Sequence, residues 1–185
     1  MIIALIVIVV VVVLLLLYVI ATYNGLVKLR NRVENAWAQI DVQLKRRLDL
    51  VPNLVETVKG YAAHERQTLD AVIQARNAGV AAQGPQQEAE ASNMLTGALR
   101  QLFALSEAYP DLKANQNFLS LQEELTSTED RISYARQFYN DSVLKYDNKL
   151  ETFPSNTIAG MFGFKGREYF KTDDPTDREV PKVQF

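Results

Sequence analysis

Side chains able to do chemistry are few and thinly spread. His64 is the only histidine in 185 residues, and Glu65 follows it. A His–Glu pair can be a fragment of a metal or acid–base site, but a helical zinc site needs a second histidine one turn away. His64 falls where one helix should end and the next begin, which suits a surface or capping role. Glu123, Glu124, Glu129 and Asp130 could supply carboxylates to a di-metal site in a helical bundle. Such sites also draw on Glu-x-x-His motifs from facing helices, which this chain lacks, so a solvated acidic face is the better reading. With no cysteine, disulfides, thiolate zinc sites and cysteine nucleophiles are excluded, while the compartment stays open. Any other nucleophile would have to rely on a Lys or Asp base that no motif marks. Gly160, Gly163 and Gly166 follow no strand, open no periodic helix and lack the lysine of a phosphate loop. Trp37, Phe138, Tyr139 and Tyr146 lie at helical spacing and read as core. No catalytic, cofactor or metal residue is therefore assigned, and the expectation is a protein that is not an enzyme.

The elements around these residues are better marked. Ile2 to Ile20 contain only Ile, Val, Ala, Leu and Tyr18. At about 1.5 Å per residue this run crosses a hydrocarbon core of about 30 Å as a helix. A strand is excluded, because nothing alternates and a lone strand cannot span lipid with its backbone unpaired. A signal peptide is the rival reading. Its basic leading segment is missing, its apolar core would be too long, and Ala21-Thr22-Tyr23 is a poor cleavage site. A retained anchor over residues 1–23 is expected.

Beyond Gly25, apolar residues recur at Leu26, Leu29, Val33, Trp37, Ile40, Leu44, Leu48, Val51, Val55 and Val58 in steps of three or four. That is a helical stripe, continuous with the anchor if Gly25 only dents it. Pro52 should kink this helix near Leu48 or start a new one, and the unbroken phase favours the kink. Gly60 offers its end. A second helix is expected from about Ala63 to Ala82, with Leu69, Val72, Ile73 and Val80 inward. Pro85 opens a third, which carries Met94, Leu95, Leu99, Leu102 and Leu105 and ends at Tyr109-Pro110. Asp111 is the expected N-cap of the longest segment. There Phe118, Leu121, Leu125, Thr128, Ile132, Ala135, Tyr139, Ser142 and Tyr146 alternate steps of three and four, the seam of left-handed, coiled-coil-like packing. Thr128, Ala135 and Ser142 weaken it as an isolated coiled coil and suit a bundle. Short connections make neighbours antiparallel.

After Phe153-Pro154 the periodicity is lost. Three glycines interleave with Phe162, Phe164, Tyr169 and Phe170, and Lys171 to Phe185 read as a flexible tail. Met161-Phe162-Gly163-Phe164 is too apolar for a solvated tail. It can fold back on its own bundle, insert at the lipid interface or dock on a neighbouring subunit, so Phe162, Phe164, Tyr169 and Phe170 are candidate oligomer or membrane contacts.

The formal net charge of −2 gives no reason to expect nucleic acid as a partner. Between Thr22 and Leu50, however, six basic residues, beginning with Lys28, Arg30 and Arg32, face three acidic ones, a local charge of +3. Basic residues beside a span set its orientation, which places the N-terminus outside and the bundle on the cytoplasmic side of the membrane. The same membrane-proximal cations can touch anionic headgroups or simply form a solvated face.

Tyr109-Pro110-Asp111-Leu112-Lys113-Ala114-Asn115-Gln116-Asn117-Phe118, continuing through Leu121, Leu125, Thr128-Glu129-Asp130-Arg131-Ile132 and Arg136, resembles the signature of the LemA family. Asp49-Leu50-Val51-Pro52-Asn53-Leu54-Val55, Val58-Lys59-Gly60-Tyr61 and His64-Glu65 resemble it too, as do Tyr139-Asn140, Tyr146, Phe153-Pro154 and Gly163-Phe164 in that order. The likeness covers nearly the whole chain. It implies a bacterial membrane-anchored helical bundle, no established reaction and no catalytic residues, with a loose association with membrane stress or secretion. Lys113, Asn115, Asn117 and Phe118 match the signature and read as a cap-and-turn device.

The sequence thus predicts an all-α chain. A single N-terminal transmembrane helix (1–23) continues into a long antiparallel up-down four-helix bundle (24–152), followed by an irregular Gly/aromatic segment and tail (153–185). The expected function is a non-catalytic scaffold that assembles into a homo-oligomer on the lipid bilayer. An adaptor presenting its bundle to another membrane protein, such as a protease or secretion component, is the second reading, and a hydrolase built on the acidic set the third.

Overall fold

A computed structural model describes residues 1–171, and the expected flexible tail lies, but for Lys171, outside them. Six helices and no strand occur among the described residues: α1 (Ile2–Lys59), α2 (Arg66–Ala81), α3 (Gly84–Ser106), α4 (Pro110–Lys113), α5 (Gln116–Glu151) and α6 (Ser155–Met161). The chain is all-α. It divides into two compact units, residues 1–38 with 137–168 and residues 39–136 with 169–171.

In the first unit α1 begins with the apolar run, whose side chains are exposed on every face through Leu17. That stretch is long and apolar enough to cross a membrane. Burial begins at Thr22 and continues at Leu26, Val33 and Ala36 on α1, at Tyr139, Ser142, Val143 and Tyr146 on α5, and at Ile158 and Ala159 on α6. Gly25 does not interrupt the helix.

The second unit is built on one core drawn from α1 (Val51, Leu54, Val55, Val58), α2 (Leu69, Val72, Ala75), α3 (Leu95, Ala98, Leu99, Leu102), Leu112 of α4, and Phe118 and Leu125 of α5. These are largely the stripe positions that the periodicity singles out. Val80 and Met94 are exceptions, at 62% and 52% exposed. α1 does not end at Pro52. A proline lacks the N–H that would bond the carbonyl four residues back, so Leu48 O is left open. The Arg76 Nε of α2 donates to that oxygen at 3.2 Å. Close approach is helped by Gly79, where a Cβ would come within 2.7 Å of Leu48 Cδ2.

Local signals mark the helix ends unevenly. α1 stops at Gly60 as expected, with Tyr61 and Ala62 N–H donating to Val58 O. α2 starts at Arg66, three residues later than expected, and Pro85 sits in the first turn of α3. Asp111 does not cap the long helix: it lies inside α4, a separate turn of helix. Asn115 is the cap, its Oδ1 accepting from Phe118 N–H at 3.0 Å while its Nδ2 donates to Tyr61 Oη at 2.9 Å. The expected irregular segment after Pro154 is a second correction. Residues 155–161 form α6, because Ile158 and Ala159 bury one side of a single short helical face, too brief to show as a period.

Candidate functional site: an aromatic and basic collar

α6 ends in a Schellman motif. Phe164 N–H donates to Ala159 O at 3.0 Å, Gly163 N–H donates to Gly160 O at 3.3 Å, and Gly163 takes φ +68°. A side chain at that φ would crowd its own backbone, so glycine suits the position. The turn sends the chain back along α1. Phe162 and Phe164 pack on Tyr23 with ring centroids 4.9 and 5.6 Å away. The Arg30 guanidinium lies 5.7 Å from the Phe164 ring centre, within cation–π range. One and two turns further along α1, Glu34 accepts from Arg167 Nη2 at 2.9 Å and Trp37 meets Tyr139 at 5.3 Å. Residues 162–168 thus form a strap beside Tyr23, Arg30 and Glu34, which recur at helical spacing on α1.

The end of the strap is held on α5. Tyr139 Oη donates to Glu168 O at 2.7 Å, and Arg167 N–H donates to Asp147 Oδ1 at 3.3 Å. Burial pushes the Tyr139 phenol up to about 12; Arg167 opposes this, and Glu168 and Asp147 add to it. Burial also raises the Asp147 carboxyl, against the stabilising Arg167 N–H. The Arg167–Glu34 pair is roughly half exposed on both sides and adds little by itself.

Phe162 is 52% exposed, Phe164 half-buried, Tyr169 half-buried and Phe170 buried at 2%. Phe162 and Phe164 share the collar with Arg30; Tyr169 and Phe170 belong to the other unit. Phe170 is not presented at the surface of a single chain. Lys28 and Arg32 are exposed, and the Arg32 guanidinium lies 5.1 Å from the Phe138 ring centre. His64 is exposed in the connection after α1. Among the described residues no group of three or more His, Cys, Asp or Glu is placed to hold a metal. Glu124 and Glu129 instead face cations, Arg46 at 2.6 Å and Arg47 at 2.7 Å.

Arg47 enters the sequence reading only as one of the membrane-proximal cations, yet it is 4% exposed in the second unit. It donates to Ser92 Oγ at 3.2 Å and Thr96 Oγ1 at 2.9 Å beside Glu129. Burial lowers the guanidinium from its usual range and Glu129 counters it. One signal does mark it: Leu44, Arg47 and Val51 step three and four, which puts Arg47 on the buried stripe. Tyr23 carries no such mark, because it falls in the polar break after the anchor, where no period has begun.

The LemA family model matches residues 36–185. Protein LemA of Metamycoplasma hominis is 30% identical over 140 residues, 74% of this chain and 63% of that protein, so the chain spans less than two thirds of this relative. Magnetosome protein MamQ 2 of Paramagnetospirillum magneticum is 26% identical over 88% of this chain and 70% of its own length. Magnetosome protein MamQ of Magnetospirillum gryphiswaldense is 25% identical over the same shares. The matched span begins within α1 and runs through the segments that carry the signature, the Asn115 cap and the strap, and on that footing the chain belongs to the LemA family.

Proposed function

We propose that this chain is a non-catalytic, membrane-anchored scaffold whose helices assemble laterally into a homo-oligomer at the bacterial inner membrane. The observation that carries the reading is α1. Its first part exposes Ile, Val and Leu on every side, and its later part supplies buried positions to a helical core. An apolar surface of that length has no stable place in water, and lipid is the solvent that suits it. In this reading α1, α2, α3 and α5 form an antiparallel four-helix bundle, supported by the two-residue connection between α2 and α3 and by their extensive packing. The domain division of anchor, bundle and C-terminal segment belongs to the same proposal. So do the N-out orientation and the cytoplasmic placement, supported by the basic residues that follow the anchor.

Exposed apolar side chains on the second unit, such as Val42 and Tyr134 at 59% and 76%, are scattered and would make only weak contacts. Confinement to two dimensions raises effective concentration, so weak lateral contacts suffice. Relatives named for two settings, LemA and magnetosome proteins, support a helical platform over a single fixed reaction. A link to membrane stress or secretion belongs to the same proposal.

The test is the mass of the full-length chain in mild detergent by light scattering, beside a chain that begins at Thr22 and so keeps Tyr23 under Phe162 and Phe164. A defined oligomer for the full chain is expected. A monomer in both would sink self-assembly and favour the adaptor reading, in which the helices present a face to a different membrane protein.

A further inference from the structure

Met161 and Phe162 remain 76% and 52% exposed although they close a hydrogen-bonded turn. Their level along α1 is set by the ring contacts. Tyr23 lies three residues past Ile20, about 4.5 Å along the helix from the end of the apolar run. Phe162 packs on Tyr23 at 4.9 Å. If the apolar run spans the hydrocarbon, the tip of α6 lies at the headgroup boundary, where aromatic residues are favoured and cations can reach phosphates. Arg30 stands beside Phe164, and Lys165 is exposed next to it.

We infer that Met161 and Phe162 insert into the interfacial layer of the same bilayer that α1 crosses, giving the chain a second lipid contact. The strap would then fix α1 relative to the membrane plane, with Arg30 and Lys165 at phosphate depth. This rests on the anchoring reading above. A second copy of the chain is the weaker occupant. The two side chains offer roughly 250 Å², a small part of the roughly 800 Å² per partner of a standard interface, so even between tethered copies they could only add to lateral contacts made elsewhere on the helices. A lipid contact faces no such threshold, because the anchor already holds the tip at the surface.

The chain has no cysteine, so single labelling sites can be introduced directly. Full-length protein carrying Val12→Cys, Met161→Cys or Val42→Cys would be spin-labelled and reconstituted in vesicles of phosphatidylcholine and phosphatidylglycerol. Collisional access to oxygen and to a water-soluble nickel chelate then gives depth. The label at 12 should be deep, that at 42 in water, and that at 161 severalfold less open to nickel than that at 42. Adding Phe162→Ser should return position 161 toward water, with helicity by circular dichroism unchanged. A label at 161 as open to nickel as that at 42, with 12 still deep, overturns the lipid contact and leaves the anchor standing. Nickel access at 12 as well would overturn the anchor and this contact together. Low access of the label at 161 to oxygen as well as to nickel, with spin–spin broadening that vanishes on dilution with unlabelled protein, would assign the surface to a second copy and overturn the lipid reading.

Discussion

Arg47 and Glu129 are unequal partners. The arginine side chain is 5% exposed and the glutamate 43%, so removing one or the other leaves different groups stranded. Without Glu129 a buried cation keeps, among the described residues, the Ser92 and Thr96 hydroxyls. Without Arg47 the carboxylate turns to water. Glu129→Ala should therefore cost about 3 kcal/mol, while Arg47→Met, which retains much of the packing, should cost about 1 kcal/mol or less. Urea unfolding followed by circular dichroism checks the order, and equal losses would show that the burial asymmetry does not govern the pair. Tyr139 gives a pH dependence. Its folded-state value lies above the ordinary 10, at about 12, because burial disfavours the phenolate. The resulting stability is present in full below pH 10 and is lost as pH rises toward 12. Thermal melts should fall across that window, and Tyr139→Phe should shrink the fall. Tyr146, also raised by burial, keeps part of it. An unchanged slope in Tyr139→Phe would remove Tyr139 from the alkaline transition. Little of this chemistry is legible in the sequence. Arg47 stands between Arg46 and Leu48 with nothing to set it apart except its phase on the stripe.

Pro52 is an element-scale defect repaired from another element. The proline frees the Leu48 carbonyl of α1, and Arg76 of α2 donates to it. Arg76→Met should cost about 1 kcal/mol in the natural chain. In a Pro52→Ala background, the backbone N–H restored at position 52 reclaims the carbonyl, and the cost of Arg76→Met should fall by more than half. A double-mutant cycle measures the coupling, and additive losses would show that the Arg76 contact does not answer the proline. Periodicity locates α1, α2, α3 and α5 well because each repeats its apolar face over several turns. α4 and α6 escape it for the complementary reason. Four and seven residues complete too few turns to establish a period, and their helical state depends on burying Leu112, Ile158 and Ala159. The expected cap falls four residues early because Asp111 and Asn115 both suit an N-cap, and only the folded chain shows which one meets an open N–H.

At the scale of the whole molecule, the apolar run sets the solvent and the strap sets where the C-terminal aromatics go. A chain confined by its anchor can assemble through contacts too weak to hold in three dimensions, so loss of the oligomer on removing residues 1–21 is the expected outcome. The sequence alone determined that the described chain is built of helices, that one apolar segment is long enough to span a bilayer, and most of the buried stripe positions, Val80 and Met94 being exceptions. It also carried the family signature. All of these rest on local composition or on a period repeated over many turns. Only the tertiary structure decided that Phe162 and Phe164 return to Tyr23, that Arg47 is buried against Ser92, Thr96 and Glu129, and that Arg76 answers Pro52. Each joins residues far apart in the chain, where pairing depends on how helices meet, and no local period encodes that.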